Sequence, residues 1–441
     1  MKKYIEINKI IKNFDDEINV SGDKSISIRC VLLASQAIGT SRIYNLLESE
    51  DVINSLKSIK KLGIDYKKSS NCYIIKGFGL NGFRTNKKVN IYSGNSGTFA
   101  RLVLGLLVDA NNKITIKGDK SLSKRDFSRV TEPLKKFGAI TVSNNNYLPV
   151  TIHGTNFLRP INYIERIGSA QCKSAVIFAG LKTPGLTKIK ARKSRDHTEI
   201  LLKNLGLPIK ILKKKKYDYI EVNGQRNFQG FQYVVPGDIS SSAFFIVLTL
   251  LSDNSQLIIK NVNVNKSRTG IIKILNKMNA KILLKNQKKY KGEVTSDIHV
   301  KSNNKLDAIK CPRYLNSSAI DEFLIIFLVA AKSRGISTFK DLGELNKKES
   351  PRLDIGVNFL RKIGVKVIRK NNDIEIYGNP ELKLNKKLII KNFKKDHRVF
   401  MMSCIAALTL GGKWKIYDKD SIKSSFPNFI KIIKILGAKI N

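Results

Sequence analysis

The sequence predicts an α/β fold made of six similar units that form two domains of three units each. Six times, an apolar helical segment ends at a glycine or an asparagine and continues into a β-branched strand. These two residue types are typical of the position just after a helix, where the backbone adopts a left-handed conformation. The six residues at this position are Gly63, Gly138, Gly206, Asn279, Gly364 and Gly437, with spacings of 75, 68, 73, 85 and 73 residues. Units of this size cannot bury their own apolar faces, so the spacing indicates a closed or stacked assembly.

Each unit contains a second helix that is apolar on most faces, which predicts a position in the core. These core helices are predicted over residues 25–37, 96–108, 170–181, 240–251, 320–331 and 398–410. Alternating or β-branched segments predict strands over residues 88–92, 113–117, 148–153, 186–191, 219–222, 256–262, 298–301, 373–377, 388–391 and 413–417. The turn Pro236-Gly237-Asp238 follows the third unit and is the best candidate for a crossing between the two domains.

Composition argues against several classes of protein. The 441 residues are 42% hydrophobic and 26% charged, as in ordinary globular proteins. The longest apolar runs, residues 243–251 and 323–331, are far shorter than the ~18–20 residues that cross a bilayer, and MKKYIEINK at the N-terminus lacks the apolar segment of a signal peptide. The five cysteines and four histidines are scattered, without a pattern for disulfides or a metal site. We therefore expect a cytoplasmic protein with no membrane partner and no metal.

The formal net charge of +45 raises the question of a nucleic-acid partner. The lysines are spread over the whole chain, and residues 213–216 form the only dense run. The sequence also lacks aromatic-rich strands of the RNA-binding type and a Cys/His finger. We expect no nucleic acid as the main partner, while a basic protein suits small anionic substrates.

The first candidate site is GDKSISIR at residues 22–29, between an extended segment and the first core helix. If a helix begins near Ser25, the N–H groups of its first turn add to the charges of Lys24 and Arg29 and make a site for phosphate or carboxylate. On this segment alone, a capped surface helix with solvated charges is an equal alternative. Similar clusters of glycine, hydroxyl and amide residues precede other core helices, at residues 93–98, 169–173 and 236–242. Their recurrence favours an oxyanion or sugar-like ligand.

Acid–base candidates lie in the second half of the chain. Asp321 and Glu322 open an apolar helix, which is a costly place for carboxylates unless the helix N-terminus stabilises them or a function requires them. Arg125, Arg352 and Arg398 stand at predicted helix starts, where the dipole disfavours a cation unless an anion binds there. Several converging guanidinium groups would clamp a carboxylate or phosphate.

With these residues in place, the chain resembles the 5-enolpyruvylshikimate-3-phosphate (EPSP) synthases, or 3-phosphoshikimate 1-carboxyvinyltransferases. The resemblance covers essentially the full length and follows the family's motifs in order: GDKSISIR, GNSGT, LSKRD, SAQCKSA, SRDHTE, VPGDISSSAF, IDEF, KESPRL, DHR and SSFP. GDKS, SAQCK and RDHTE together are most similar to the second class of these enzymes, which includes glyphosate-tolerant members. The resemblance implies a step of the shikimate pathway in which the enolpyruvyl group of phosphoenolpyruvate passes to the 5-hydroxyl of 3-phosphoshikimate by addition and elimination.

The family fold implies a two-domain inside-out α/β barrel, the enolpyruvyl transferase fold, with six βαβαββ-type repeats. Residues 1–21 and 238–441 would form one discontinuous domain and residues 22–237 the other, with the active site in the cleft between them. The resemblance also implies that phosphoenolpyruvate and 3-phosphoshikimate are the partners and that no metal or organic cofactor takes part. We expect a monomer.

The resemblance implies a role for each residue that matches a family motif. Lys24, Asp321 and Glu349 would be catalytic, with Asp321 as the base that faces the 5-hydroxyl and Glu349 in proton transfer at the methylene group. The residues implied for 3-phosphoshikimate are Lys24, Ser25, Arg29, Ser169, Ala170, Gln171, Arg195, Asp321 and Lys348. Those implied for phosphoenolpyruvate are Lys24, Gly97, Arg125, Gln171, Arg352 and Arg398.

Three positions depart from the family pattern or vary among its members. Asp126 stands where a proline commonly follows the motif arginine, and its carboxylate could weaken the grip of Arg125 on phosphoenolpyruvate. Lys423 lies one residue away from the lysine that other members place before the Ser/Thr-Phe-Pro motif, so it receives no role. Gly97 occupies the position where some tolerant members carry alanine, and we expect it to leave room for glyphosate.

Two alternative functions remain open. The sister enzyme that transfers enolpyruvate to UDP-N-acetylglucosamine shares the fold and the chemistry. That enzyme typically carries a cysteine in the loop matching residues 118–126, where this chain has none, and Lys-Asn where Lys24-Ser25 stand here. A basic nucleic-acid-binding protein is supported only by the net charge.

Overall fold

The computed structural model describes residues 3–85, 88–303 and 305–441. The chain divides into two compact units. The first unit comprises Met1–Ser21, Pro236–Lys289 and Val294–Asn441, and the second unit comprises Gly22–Val235 and Tyr290–Glu293.

Helices and strands alternate throughout the chain. The described helices are α1 (Lys24–Gln36), α2 (Glu50–Lys61), α3 (Gly97–Leu106), α4 (Ser128–Phe137), α5 (Ala170–Lys182), α6 (His197–Asn204), α7 (Ile239–Leu251), α8 (Gly270–Lys277), α9 (Asn316–Ala319), α10 (Phe323–Lys332), α11 (Arg352–Lys362), α12 (His397–Leu410) and α13 (Phe429–Ile435). The strands are β1 (Tyr4–Ile7), β2 (Asp15–Asn19), β3 (Ile38–Tyr44), β4 (Tyr66–Lys68), β5 (Cys72–Phe78), β6 (Val89–Tyr92), β7 (Ile114–Lys117), β8 (Ile140–Asn144), β9 (Tyr147–His153), β10 (Asn162–Glu165), β11 (Leu186–Arg192), β12 (Ile209–Lys213), β13 (Tyr217–Asn223), β14 (Gln232–Val234), β15 (Gln256–Asn263), β16 (Ile282–Tyr290), β17 (Glu293–Lys301), β18 (Gly335–Phe339), β19 (Val367–Lys370), β20 (Asp373–Gly378), β21 (Lys387–Ile390) and β22 (Lys413–Tyr417).

The repeat predicted from the sequence is present in the backbone. All six turn residues adopt a left-handed conformation, with φ from +67° at Asn279 to +111° at Gly138. The six predicted core helices correspond to α1, α3 and α5 in the second unit and to α7, α10 and α12 in the first. Each of the predicted strands overlaps an observed strand.

The helix predicted over residues 320–331 begins later than expected. Ile320, Asp321 and Glu322 form a turn after α9, in which the N–H of Glu322 donates to the carbonyl of Ala319 at 2.9 Å. Asp321 therefore lies in front of α10 rather than inside its first turn.

Each repeat contributes one small sheet. In the second unit the strand orders are β14-β3-β5-β4, β6-β7-β9-β8 and β10-β11-β13-β12, with the first pair parallel and the other two pairs antiparallel. In the first unit the orders are β16-β17-β15-β2, β18-β20-β19 and β1-β22-β21. The N-terminal segment completes two of these sheets, because β2 pairs with β15 and β1 pairs with β22. Residues up to Ser21 therefore belong with the C-terminal half of the chain.

The units differ from the predicted domains in two places. Gly237 donates to the carbonyl of Asn261 at 3.0 Å and accepts from Asn263 at 2.9 Å, so it joins β15 in the first unit. The tip of the hairpin formed by β16 and β17, residues Tyr290–Glu293, belongs to the second unit. The sequence contained no local signal for that tip.

Each unit has its own apolar core around its three core helices. In the second unit, α3 and α5 approach closely because Gly105 has no side chain. A Cβ atom there would lie 2.1 Å from the carbonyl oxygen of Ala175. This approach packs the end of α3 directly against the middle of α5.

Within the described parts of the chain, no helix has the length and apolar character needed to cross a bilayer.

Candidate active site

The predicted site residues form two sets, one in each unit. The second-unit set comprises Lys24, Ser25, Arg29, Gly97, Arg125, Ser169, Ala170, Gln171 and Arg195, and the first-unit set comprises Asp321, Lys348, Glu349, Arg352 and Arg398. Most members of both sets lie in the first turn of a helix or just before it. Helix starts carry unpaired N–H groups and the positive end of the dipole, so both sets suit anionic ligands.

Lys24 is the first residue of α1. The helix begins there because the carboxylate of Asp23 accepts from the N–H of Ile26 at 2.9 Å, which caps the first turn. The ammonium group of Lys24 lies 3.0 Å from a carboxylate oxygen of Asp51 in α2. This ion pair fixes the ammonium group of Lys24 beside the first turn of α2.

Arg29 is buried one turn further along α1, with 2% of its surface exposed. Its Nε donates to Thr198 at 2.7 Å, its Nη2 to Ser174 at 3.1 Å and its Nη1 to the carbonyl of Ser25 at 2.9 Å. These three acceptors are neutral oxygens, so they orient the guanidinium without neutralising its charge.

Gly97 begins α3 and makes room for two arginines. A Cβ atom at Gly97 would lie 2.7 Å from Nη1 of Arg125 and 2.9 Å from Nη1 of Arg101. Burial, together with the charge of Arg125, lowers the pKa of Arg101. The Nε atom of Arg125 is buried and has no hydrogen-bond partner within the described residues. Two neighbouring cations with a free donor are suited to an anion that would accept from both.

Gln171 connects the starts of α5 and α3. Its side-chain oxygen accepts from Nη1 of Arg101 at 2.7 Å, and its side-chain nitrogen donates to Thr98 at 2.9 Å. Ser169 caps α5 by accepting from the N–H of Cys172 at 3.3 Å. Residues 169–171 are therefore fixed beside Gly97 and Arg101.

Arg195 is half-buried in the loop that leads into α6. The next residue, Asp196, pairs with Lys213 at 2.7 Å, and Thr198 holds Arg29. The position of Arg195 is thus set by the residues that directly follow it in the chain.

Arg352 is the centre of the first-unit set. The side chain is 1% exposed, its Nη1 lies 3.2 Å from Asp321 and its Nη2 lies 2.6 Å from Glu349. Its Nε donates to the buried carboxylate of Asp396 at 2.9 Å. The ammonium of Lys348 adds a second cation 3.3 Å from Asp321. The structure thus brings four of the five members of this set together.

The charges around Arg352 stabilise one another. Burial would raise the pKa of Asp396, but the charges of Arg352 and His397, together with the hydrogen bond from Arg352, hold that pKa below its usual value. Burial would lower the pKa of Arg352, and the charges of Asp396, Glu349 and Asp321 raise it instead. The pair therefore stays ionised despite its burial.

Arg398 is held by Asp396, which also binds Arg352, and by further buried polar groups. Its N–H donates to Asp396 at 2.9 Å, which caps α12, and its Nη1 lies 3.6 Å from Glu322. Glu322 also accepts from the hydroxyl of Ser240, which in turn accepts from Arg268 at 2.7 Å. These contacts fix the start of α12 relative to α7 and α10.

Three buried residues that organise the sets received no role from the sequence: Asp51, Arg101 and Asp396. Asp396 had a usable signal, because an aspartate directly before a predicted helix is a favoured cap. Arg101 lies about one turn after the start of the helix predicted over residues 96–108, so the sequence placed it near Gly97. Asp51 had no such signal, because its partner is distant in sequence. Glu322 was expected as an acid–base candidate, and the structure places it against Arg398 and Ser240 instead.

Asp126 and Lys423 are engaged with near neighbours. The carboxylate oxygens of Asp126 accept from the N–H and the hydroxyl of Ser128 at 2.7 and 2.8 Å, at the start of α4. Lys423 is exposed and pairs with Asp420 at 2.8 Å. Neither contact involves a member of the two sets.

Among residues 3–85, 88–303 and 305–441, no group of three or more His, Cys, Asp and Glu side chains could hold a metal ion.

The fold is that of the enolpyruvyl transferases. The enolpyruvyl transferase NikO from Streptomyces tendae is 13% identical, with a TM-score of 0.77 over 99% of this chain and 98% of that chain. The EPSP synthase from Acinetobacter baumannii is 30% identical, with a TM-score of 0.87 over 100% of this chain and 99% of that chain. The predicted fold class is confirmed.

Similar sequences show which family of enolpyruvyl transferases the chain belongs to. The family model of EPSP synthase (3-phosphoshikimate 1-carboxyvinyltransferase) matches residues 8–433. A 3-phosphoshikimate 1-carboxyvinyltransferase of Ruthia magnifica is 38% identical over 425 residues, 96% of each chain. One of Bacillus cytotoxicus is 37% identical over 421 residues, 95% of this chain and 97% of that protein. The chain therefore belongs to the EPSP synthase family, and the predicted resemblance is confirmed over both alternatives.

Proposed function

We propose that this protein transfers the enolpyruvyl group of phosphoenolpyruvate to the 5-hydroxyl of 3-phosphoshikimate and releases phosphate. The observation that carries the proposal is the pair of carboxylates on Arg352, with Asp321 at 3.2 Å and Glu349 at 2.6 Å. Addition and elimination require a base and an acid at fixed positions. Membership of the EPSP synthase family supports the same reaction.

The addition step uses both carboxylates. Asp321 takes the proton of the 5-hydroxyl of 3-phosphoshikimate. At the same time, the oxygen of that hydroxyl forms a bond to C2 of phosphoenolpyruvate. Glu349, which is ionised beside Arg352 before the substrates bind and takes up a proton with them, gives that proton to C3. The product is a tetrahedral ketal phosphate attached to both reactants.

The elimination step restores the double bond. The bond between C2 and the phosphate oxygen breaks, and Glu349 takes back a proton from C3. The proton held by Asp321 leaves with the phosphate. Neither step needs a metal or an organic cofactor, because fixed cations stabilise the charge on the phosphate and carboxylate groups.

The cationic residues divide between the two substrates in this proposal. Those that bind 3-phosphoshikimate are Lys24, Ser25, Arg29, Ser169, Ala170, Gln171, Arg195 and Lys348, with Asp321 at the reacting hydroxyl. Those that bind phosphoenolpyruvate are Lys24, Gly97, Arg125, Gln171, Arg352 and Arg398. In this proposal the protein is a monomeric enzyme of the cytoplasm that serves chorismate and aromatic amino acid biosynthesis.

The test is phosphate release from phosphoenolpyruvate with three acceptors: 3-phosphoshikimate, UDP-N-acetylglucosamine and none. The proposal predicts release with 3-phosphoshikimate alone, together with a product heavier by one enolpyruvyl group. Release that needs UDP-N-acetylglucosamine, or no release with any acceptor, would contradict it.

A nucleic-acid function would show itself in a different assay. Binding to duplex DNA, measured by filter retention during a salt titration, would fall steeply with salt if phosphate contacts carried it. We predict only weak retention at moderate salt. Tight, steeply salt-dependent binding without phosphate release in the first assay would favour that alternative.

A further inference from the structure

Three consecutive residues in the first turn of α6 each reach a different segment of the second unit. The imidazole Nδ1 of His197 lies 2.6 Å from Oε1 of Glu293. Thr198 contacts Arg29, and Glu199 pairs with Lys173 of α5 at 2.6 Å. This turn is therefore the place where α1, α5 and the tip of the β16–β17 hairpin are connected.

The hairpin tip is anchored on two sides. The hydroxyl of Tyr290 accepts from the N–H of Val234 in β14 at 3.0 Å. On the other side, Gly292 lies so close to α6 that a Cβ atom would come 2.8 Å from a methyl group of Ile200. Glu293 is thus presented to His197 by a segment that is itself fixed in place.

The His197–Glu293 contact is completely buried, with 0% of either side chain exposed. A buried polar pair of this kind rarely adds stability beyond what apolar side chains of the same size would give. Its best supported benefit is that it specifies one arrangement of the elements that it joins. The element joined here is the turn that carries Thr198, and Thr198 orients Arg29.

We infer that Glu293 is a positioning residue for the binding of 3-phosphoshikimate. Through His197 it fixes the first turn of α6, and that turn places Thr198 against the guanidinium of Arg29. The inference rests on the proposed function, which assigns Arg29 and Arg195 to 3-phosphoshikimate. Glu293 then affects the affinity for one substrate and leaves the proton-transfer residues untouched.

The test variant is Glu293→Gln, which keeps the shape of the side chain and removes its charge. We expect the KM for 3-phosphoshikimate to rise about tenfold, as after the loss of a charge-assisted hydrogen bond. The KM for phosphoenolpyruvate and kcat should stay within about twofold, because only ground-state binding of one substrate is altered.

A double variant separates positioning from general destabilisation. Thr198→Val should raise the same KM, and adding Glu293→Gln to it should raise that KM little further, because both changes act through one path. Full additivity of the two effects would overturn the inference.

Asp109→Asn is the matched control, since it removes the partner of another buried cation in the same unit. Asp109 lies 2.7 Å from Lys182, whose side chain is 1% exposed, and neither residue is in the first turn of α6. We expect this variant to lower the melting temperature and leave both KM values unchanged.

An unchanged KM for 3-phosphoshikimate in Glu293→Gln, or an equal rise in both KM values, would overturn the inference while the proposed function stands. Absence of turnover by the unaltered protein would refute both the proposed function and the inference about Glu293. If Glu293→Gln does not fold, His197→Gln is measured in the same way, because its amide takes the place of the imidazole Nε2 and not of Nδ1, the atom that contacts Glu293. The same split of KM values is expected, and an unchanged KM would again overturn the inference.

Discussion

Gly97 leaves space at the start of α3 that the side chains of Arg125 and Arg101 occupy. A methyl group there would come 2.7 Å from Arg125 and 2.9 Å from Arg101, so Gly97→Ala must displace the ends of both side chains. We expect the KM for phosphoenolpyruvate to rise about tenfold, as after the weakening of one charged hydrogen bond. Steady-state kinetics with phosphoenolpyruvate as the varied substrate would measure this effect.

The same glycine leads to a prediction about inhibition. The unaltered protein should lose activity at millimolar glyphosate, and Gly97→Ala should be inhibited much less. An equal melting temperature for the two proteins serves as the control, because the methyl group meets flexible side-chain ends rather than backbone. Unchanged activity of the unaltered protein at millimolar glyphosate would refute the assignment.

Individual residues of the site could be predicted where a local pattern marks them. Ser96, Ser169 and Asp396 precede helices, and all three accept from a backbone N–H of the helix that follows. The contacts that orient the arginines could not be predicted, because Arg29 meets Ser174 and Thr198 far along the chain. A single sequence carries no signal for such pairs.

At the scale of elements, the irregularity in β15 depends on one carboxylate. Asp297 in β17 accepts from the N–H of Asn261 at 2.9 Å and from the side chain of Asn286 at 2.8 Å, beside a register shift between β15 and β17. Burial would raise the pKa of Asp297, but these bonds and the ammonium of Lys260 lower it to about 2. The ionised carboxylate therefore stabilises the fold.

The sign of the pH dependence follows from that lowered pKa. The stabilisation is fully present above the pKa of an unfolded aspartate, about 3.9, and is lost as the pH falls towards the folded value. Asp297→Asn should lower the free energy of unfolding at neutral pH by about 1 kcal/mol, and the difference from the unaltered protein should shrink below about pH 4.

Urea unfolding at a series of pH values measures this difference. The control is Asp341→Asn, which removes an exposed ion pair with Arg313 and should change the free energy of unfolding by less than about 0.5 kcal/mol. A difference for Asp297→Asn that stays constant down to acidic pH would contradict the role of the carboxylate.

Elements with a strong local signal were predictable and elements fixed by distant contacts were not. Residues such as Gly138 and Asn279 mark helix ends, and both adopt the left-handed conformation. The late start of α10 was missed, because apolar residues continue on both sides of Asp321 and Glu322. The tip at Tyr290–Glu293 was missed because its anchors, Val234 and His197, lie in other parts of the sequence.

At the scale of the whole molecule, the net charge of +45 should influence how anionic substrates arrive. An excess of positive charge attracts phosphoenolpyruvate and 3-phosphoshikimate, and salt screens this attraction beyond about 10 Å at 0.1 M. We expect kcat/KM for both substrates to fall as ionic strength rises. A neutral osmolyte at matched osmolarity is the control, and a kcat/KM that does not change with salt would contradict the prediction.

The repeat allowed the overall architecture to be predicted without any long-range information. Six near-equal units correspond to six small sheets, three in each compact unit. The return of the N-terminal strands to the C-terminal half followed from the family resemblance and not from the residues, because the partners of β1 and β2 lie in β22 and β15. Pairing over such distances leaves no mark in local composition.

The central claim is that Asp321 and Glu349 exchange protons with the substrates. The most direct test is the rate of phosphate release from phosphoenolpyruvate and 3-phosphoshikimate in Asp321→Asn and Glu349→Gln. Asp354→Asn is the control, since Asp354 lies in α11 and pairs with Arg369 at the surface. We predict folded proteins in all three cases, a fall in kcat of at least ~100-fold in the first two and little change in the control. Activity of the unaltered protein retained in full by either Asp321→Asn or Glu349→Gln would contradict the account.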